Sequence, residues 1–222
     1  TVIFATDNLP GWMGTNVKTE LETLCGLPVF VENDVNVAAL GEGWRGAAQK
    51  YRHYVLLTIG TGIGGALVHD GKLVSGPTGS VGEIGHVILY PNGKQCNCGQ
   101  KGCFEQYVSG SALARIAKQI EPDWDSRILI NRAEAGHPTA VRQIELFVTN
   151  LATGLITLHN IYDPELIVLG GGVGETYKTW QEKLEQELNR LTPQQLTISP
   201  AQLGNDAGLL GAAHLAFTTL RS

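Results

Sequence analysis

Charge is scarce in this 222-residue chain: Asp, Glu, Lys and Arg make up 17% of it, where about 25% is usual for a soluble domain. Basic residues number 16 against 21 acidic ones, a net charge of -5 and a pI near 5.7, and no basic run exceeds a pair. A surface that displaces counterions from phosphate backbone needs clustered Lys and Arg, so nucleic acid is not an expected partner. Long hydrophobic runs are also missing. The longest, Tyr54 to Ile59, is far short of the roughly 20 residues of a membrane span, and no signal-peptide pattern opens the chain; no membrane partner is expected. Cysteine is sparse, with 4 residues, and three of them crowd at Cys96, Cys98 and Cys103. An odd cluster of that kind reads as metal ligation and not as a disulfide framework, which suits a reducing, cytoplasmic setting. Disorder is excluded by a hydrophobic share of 43% and a mean hydropathy near zero.

Glycine is what the chain has in excess, with 28 residues. In a globular chain such an excess marks sharp turns and places where backbone approaches a ligand. The length fits one large domain or two small ones. Thr1 opens the chain without Met, and Val2-Ile3-Phe4-Ala5 resembles the interior of an element already under way, so the chain reads as part of a longer one. Asp7 to Gly11 has loop chemistry. Thr15 or Asn16 caps a helix with apolar positions Val17, Leu21 and Leu24, closed by Gly26; Cys25 at its end reads as core filling. Val29-Phe30-Val31 reads as a short strand, and Val35 to Trp44 as a buried helix. Strands are expected at Tyr54–Ile59, Gly65–His69, Lys72–Val74 and Val87–Tyr90, with a hairpin turn at Asp70-Gly71. From Ser109 the pattern is helical, and Val141, Ile144, Phe147, Val148, Leu151, Leu155 and Leu158 form a sustained stripe that Asp163-Pro164 stops. Leu166–Leu169 is a buried strand, followed by a glycine turn, a helix to about Leu191, an edge strand at Thr197-Ile198 and a closing helix from Gly208 to Leu220. Alternating strands and helices define an α/β class.

Four groups of residues could carry chemistry. His86, Cys96, Cys98 and Cys103 offer one imidazole and three thiols inside 18 residues, a set that suits a closed tetrahedral zinc site with a structural role. The plainer alternative is a group of small buried hydrophobes. Asp34 follows a strand and opens a helix, which places a carboxylate where α/β folds bind ligands; equally, Asn33 or Asp34 serves as an N-cap. Gly60-Thr61-Gly62-Ile63-Gly64-Gly65 lies between two strands, so the dinucleotide-binding reading fails, and two readings stand: a cradle of N–H groups for a phosphate or an ordinary hairpin. Gly170 to Gly174 follows a strand and opens a helix, where backbone can pack on a nucleotide or simply turn. Glu83 and Glu105 flank the thiol cluster. Held rigidly they would accept hydrogen bonds from hydroxyl groups; otherwise they are solvated carboxylates.

Together these residues resemble the ROK family, whose members include sugar kinases and repressors. Glu32-Asn33-Asp34-Val35-Asn36 is similar to its catalytic segment and Gly82-Glu83-Ile84-Gly85-His86 to its sugar-and-zinc segment. Cys96-Asn97-Cys98-Gly99-Gln100-Lys101-Gly102-Cys103-Phe104-Glu105 matches the pattern C-x-C-G-x-x-G-C-x-E without a gap, and Ala207 to Ala213 resembles the family's C-terminal helix. The resemblance implies an actin-like (ribonuclease H-like) ATPase fold, a two-domain hexose kinase with a zinc knuckle. By it, Asp34 is the general base for the sugar's primary hydroxyl. Asn33, Glu83, His86 and Glu105 bind the other hydroxyls, with one nitrogen of His86 left for zinc. Thr61 and Gly62 meet the ATP phosphates, Gly171 and Gly172 the adenosine, and Mg²⁺ accompanies ATP.

The family's Asp-x-Gly-x-Thr phosphate loop is not found in the sequence. Residues 1–48 are therefore expected to be the remnant of an N-terminal domain whose larger part is missing. Residues 49–205 would form the C-terminal domain, and 206–222 a closing helix that packs on the N-terminal one. On that expectation the chain alone phosphorylates sugar poorly, while its parent is a kinase. Glucose is the first choice of substrate, an N-acetylhexosamine the second, and fructose a further one; the resemblance also suggests a homodimer. The rival from another class is a sugar-sensing repressor with a DNA-binding region upstream, and a third reading is a zinc-stapled oligomerisation domain. An intact Gly-Thr-Gly loop and Asp34 favour the kinase, since a repressor needs no phosphate contacts.

Overall fold

The computed structural model describes Val2 and residues 11–221; the apolar opening and most of the loop expected at 7–11 lie outside the described residues. The chain runs α1 (Val17–Cys25), α2 (Asp34–Arg45), β1 (Tyr54–Ile59), β2 (Ile63–His69), β3 (Lys72–Leu73), a 3-10 turn (Ile84–His86), α3 (Glu105–Val108), α4 (Gly110–Ile120), α5 (Ser126–Glu134), α6 (Pro138–Tyr162), β4 (Leu166–Gly170), α7 (Gly171–Gly174), α8 (Tyr177–Leu191), β5 (Ile198–Pro200) and α9 (Asp206–Thr219). The strands form one mixed sheet in the order β3-β2-β1-β4-β5. β1 pairs antiparallel with β2 and parallel with β4, and β4 pairs parallel with β5.

The side-chain period of two decides how the sheet is covered. Val55, Leu57, Ile59, Ile167 and Leu169 turn to one face, where they meet the Ile144–Phe147–Val148–Leu151–Leu155 stripe of α6. Tyr54, Leu56, Leu166 and Val168 turn to the other and meet Ala39 of α2. The central strands are thus buried on both sides, which is why they read as continuous apolar runs. The Tyr54 hydroxyl donates to the Ala39 carbonyl at 2.9 Å. Burial, and then the negative charge of Glu42, push its pKa above the ordinary tyrosine value. Asp70-Gly71 closes the β2–β3 hairpin with φ of +54° and +73°, the double positive φ of a type I′ turn.

Three expectations are corrected. Val29-Phe30-Val31 is not a strand, and Val87–Tyr90 contributes only an isolated bridge, Ile88 with Cys103. Both stretches have strand-like side chains but, among the described residues, no adjacent strand to complete a ladder, and β propensity without a partner does not make a strand. The third concerns α1. Asn16 caps it and Gly26 ends it in the left-handed region at φ +67°, yet α1 buries no residue: Leu24 is 82% exposed and Cys25 is exposed, not core.

Candidate functional site

Asp34 is the first residue of α2, and Asn33 is its N-cap. The Asn33 Oδ1 accepts the N–H groups of Val35 (2.9 Å) and Asn36 (3.2 Å), so Asn33 is the cap; Asp34 shares the Val35 N–H through its Oδ1 at 2.9 Å and stands exposed in a cleft with Oδ2 outside that bond. Glu32 braces the turn from behind, accepting from Asn33 N–H and from the Asn36 side-chain amide, both at 2.9 Å. The cleft has a volume of about 370 Å³ and brings Asn33, Asp34, Gly60, Thr61, Gly62, Glu83 and Glu105 together. These residues come from four separate stretches of the sequence.

The Gly60–Gly62 loop joins β1 to β2, and its carbonyls are taken up by the next layer. Gly60 accepts from Gly110 N–H at 2.7 Å and Thr61 from Ser111 N–H at 3.2 Å, at the start of α4. Glu105 opens α3, two residues beyond Cys103, and its Oε2 accepts the Ile63 N–H at 2.8 Å. A side chain at Gly62 would collide with that carboxylate.

His86, Cys96, Cys98 and Cys103 bring their ligand atoms within 4.8 Å of one another. The Cys98 and Cys103 sulfurs lie 3.6 Å apart, and Cys96 Sγ is 3.8 Å from His86 Nδ1. A tetrahedral ion with Zn–S bonds of about 2.3 Å needs sulfur separations of about 3.8 Å, so the donor set fits zinc. The proton balance agrees. Burial resists ionisation of Cys98, but donors including the Gln100 N–H and the neighbouring thiols hold its pKa below the ordinary value. Burial, then the hydrogen bond with Cys98, pushes Cys103 up to about 12. Free thiols packed this way cannot all ionise, whereas a divalent ion makes every one of them a thiolate. Gln106 donates to Cys96 Sγ at 3.6 Å and is itself held by Arg115, which donates to its carbonyl at 2.7 Å. The other imidazole nitrogen, Nε2 of His86, lies 3.9 Å from Glu83 Oε2. His86 is not a wall of the Asp34 cleft; it reaches that cleft through Glu83.

A second cleft, about 470 Å³, shares Gly60 and Thr61 with the first and is lined further by Gly110, Ser111, Ser126, Arg127, Ile130, Gly172, Val173 and Thr176. Gly172 faces it, but Gly171 does not: at φ +79°, Gly171 is pressed on the Ile59 backbone, which a Cβ would meet at 2.7 Å. Sequence reasoning missed Ser111, Arg127 and Thr176 here, and Thr58, Asn36 and Val81 in the first cleft. Thr58 had a signal, as the one polar residue of β1. The others had none, because separate helices and the turns at Val81 and Thr176 deliver them.

Two clefts that meet at a glycine loop on the edge of a mixed sheet, one with a carboxylate and one floored by backbone, define the actin-like sugar-kinase class of fold. Residues 1–219 match the ROK family, and the chain belongs to it. It is 35% identical to a glucokinase of Halalkalibacterium halodurans, over 92% of this chain and 68% of that protein. It is 34% identical to an N-acetylmannosamine kinase of Salmonella typhi, over 94% of this chain and 72% of the other. Among solved structures, a ROK hexokinase from Thermus thermophilus superposes with a TM-score of 0.89 at 38% identity, covering 96% of this chain and 73% of that one. A Streptomyces griseus ROK glucokinase in complex with glucose and AMPPNP gives 0.84 at 34%, covering 97% and 76%. A ROK family transcriptional regulator, a homologue of the E. coli MLC protein, gives 0.77 at 30%, covering 88% of this chain and 53% of that one. Among the described residues no helix is long and apolar enough to cross a membrane.

Proposed function

We propose that this chain carries the sugar and nucleotide sites of an ATP-dependent hexose kinase, with glucose the first substrate and an N-acetylhexosamine the second. The observation that carries the reading is the junction of the two clefts at Gly60 and Thr61, with Asp34 on the wall of one of them. A sugar hydroxyl beside Asp34 and a terminal phosphate beside Thr61 would then be neighbours. The hydroxyl oxygen attacks the terminal phosphorus, the bond from that phosphorus to the ADP oxygen breaks, and the hydroxyl proton passes to the Asp34 carboxylate.

The remaining polar groups suit sugar binding. With its Oδ1 engaged in the cap, Asn33 presents its side-chain N–H₂ as a donor. With Oε2 on Ile63, Glu105 offers Oε1 as an acceptor. Glu83 and His86 complete the set, His86 through the nitrogen that faces Glu83. Thr61 and Gly62 would line the phosphates, and Gly172, with Gly171 packed behind it, the adenosine. Mg²⁺ bound with ATP supplies charge neutralisation on the phosphates. His86, Cys96, Cys98 and Cys103 would hold zinc, which with four protein ligands has no position open to substrate and supplies rigidity. Residues 1–48 with the closing helix, and residues 49–205, form the two domains of this reading; a cytoplasmic homodimer belongs to it as well.

The sugar-sensing repressor is the second reading, supported by the regulator among the structural neighbours. The exposed Asp34 carboxylate beside the Gly-Thr-Gly loop favours the kinase. The deciding experiment is ADP release by the protein at its natural full length, with Mg-ATP and glucose, mannose, fructose, N-acetylglucosamine or N-acetylmannosamine, beside Asp34→Asn. Sugar-dependent release that drops by about 10²-fold or more in the variant is expected. No release with any sugar, from zinc-loaded protein that binds a hexose, would overturn the kinase in favour of the repressor.

A further inference from the structure

Glu42 lies near the end of α2, is fully buried, and takes no part in the chemistry proposed above. Its Oε2 accepts the Ala47 N–H at 2.7 Å, and its Oε1 accepts those of Gln202 at 3.0 Å and Leu203 at 2.9 Å. Its main-chain carbonyl takes Gly46 and Ala48 N–H, each at 3.0 Å. Among the described residues no cation pairs with it. A carboxylate suits this place because it is acceptor-only; a carboxamide would turn its own N–H₂ toward an N–H. Even the adjoining Gly46 is shaped by it, since a Cβ there would meet the Glu42 carboxylate.

The amides it holds belong to two distant stretches. Residues 46–48 lead from α2 to β1, and residues 201–203 lead from β5 to α9. α2 and α9 pack so closely that neither Gly41, against the Ala207 carbonyl, nor Gly211, against the Val37 carbonyl, has room for a Cβ. They move as one body if they move at all, and both connections from that body to the sheet pass through one carboxylate. Asp34 stands at the far end of α2, while β1 leads directly into Gly60.

We infer that Glu42 is a positioning residue: by gripping both connections it fixes the α2–α9 pair against the sheet and so sets where Asp34 stands over the Gly60–Gly62 loop. The eight helical steps from Asp34 to Glu42 make a lever of about 12 Å. A tilt of about 5° at Glu42 displaces Asp34 by about 1 Å, enough to cost about 100-fold in a reaction that depends on orientation. The inference takes its catalytic consequence from the kinase reading; its geometry stands apart from that reading.

The test is Glu42→Gln in the natural full-length protein, followed by amide hydrogen exchange, hexose calorimetry and steady-state kinetics. The expected variant is folded, binds hexose within about twofold of the unsubstituted protein, and exchanges Ala47, Gln202, Leu203 and the Val35–Val37 amides faster, with kcat down about tenfold or more and KM for hexose nearly unchanged. A purely structural role would instead lower hexose binding and melting temperature together and leave kcat per folded molecule intact; that result, or unchanged exchange, overturns the inference. Should Glu42→Gln fail to fold, Gly46→Ala displaces the same carboxylate without removing it, and unchanged kcat there overturns the inference equally. If the unsubstituted protein releases no ADP with any sugar, the kinase reading fails by itself. The inference is then decided by whether Glu42→Gln exposes the Val35–Val37 amides.

Discussion

The carboxylate of Glu105 accepts the backbone N–H of Ile63 at 2.8 Å, and this one bond joins the thiol cluster to the loop between the two clefts. Glu105 sits two residues beyond Cys103, and Ile63 directly follows Gly62. Rigidity at the cysteines is therefore transmitted to the floor of both clefts, without any ligand atom of the cluster entering either.

A methyl group at position 62 tests that joint. Gly62→Ala forces Glu105 off the Ile63 N–H, because its Cβ would occupy the carboxylate's place. Loss of one charge-assisted hydrogen bond is worth about 1.5–3 kcal/mol, so we expect hexose and nucleotide affinities both to weaken by about tenfold or more. Calorimetry with each ligand checks this; loss of only one affinity would show that the joint serves one cleft.

Metal content should control stability. With His86, Cys96, Cys98 and Cys103 within 4.8 Å, a strong chelator is expected to lower the melting temperature by several degrees, and zinc to restore it. Cys98→Ser should abolish the response to both. Calorimetric melting with metal analysis reads the outcome, and a melting temperature indifferent to chelator would count against a structural ion.

The core stripe makes a stability prediction independent of function. Leu151 of α6 is fully buried in the core, with 0% solvent exposure. Leu151→Ala should cost about 2–5 kcal/mol, the transfer loss plus the residual cavity, whereas Leu24→Ala on the 82% exposed α1 site should cost about 0.5 kcal/mol or less. Urea unfolding of the two variants compares them.

Acid stability should depend on Glu187. Arg190, donating to both of its oxygens at 2.8 Å, and Thr149, at 2.7 Å, lower its pKa to about 2. A folded pKa below the unfolded one means stability present above the unfolded value, near 4.5, and lost as pH falls toward 2. Arg190→Ala should therefore be less stable than the unsubstituted protein at pH 6, with the gap narrowing across that window. Unfolding followed at pH 6, 4 and 3 tests this, and a gap independent of pH would rule out the ionic origin.

Much was legible in the residues themselves. The Cys96–Glu105 spacing pointed to a cluster of donors because ligand spacing is a local property, and the fold gathers those thiols with His86 within 4.8 Å; the α6 stripe announced a buried helix because a period of 3.6 survives in any context. At Asn33 and Asp34 the choice between cap and open carboxylate needs coordinates: both residue types cap well, and the Asn33 side chain takes the N–H groups of Val35 and Asn36 while Asp34 reaches only that of Val35. α1 shows the opposite failure. Its apolar spacing is helical and it forms a helix, yet Leu21 and Leu24 remain exposed, since periodicity specifies a face and not what covers it.

The sequence by itself determined the α/β class, the cluster of thiols and the glycine loops, all of which depend on spacings of a few residues. Only the tertiary structure decided that Glu105 closes on Ile63, that Ser111, Arg127 and Thr176 converge on one cleft, and that Glu42 grips residues 160 positions away. The physical reason is common to all three. Hydrogen bonds and packing between distant segments cost loop-closure entropy that no local pattern records, and they form only when the folded sheet and helices have brought their ends together.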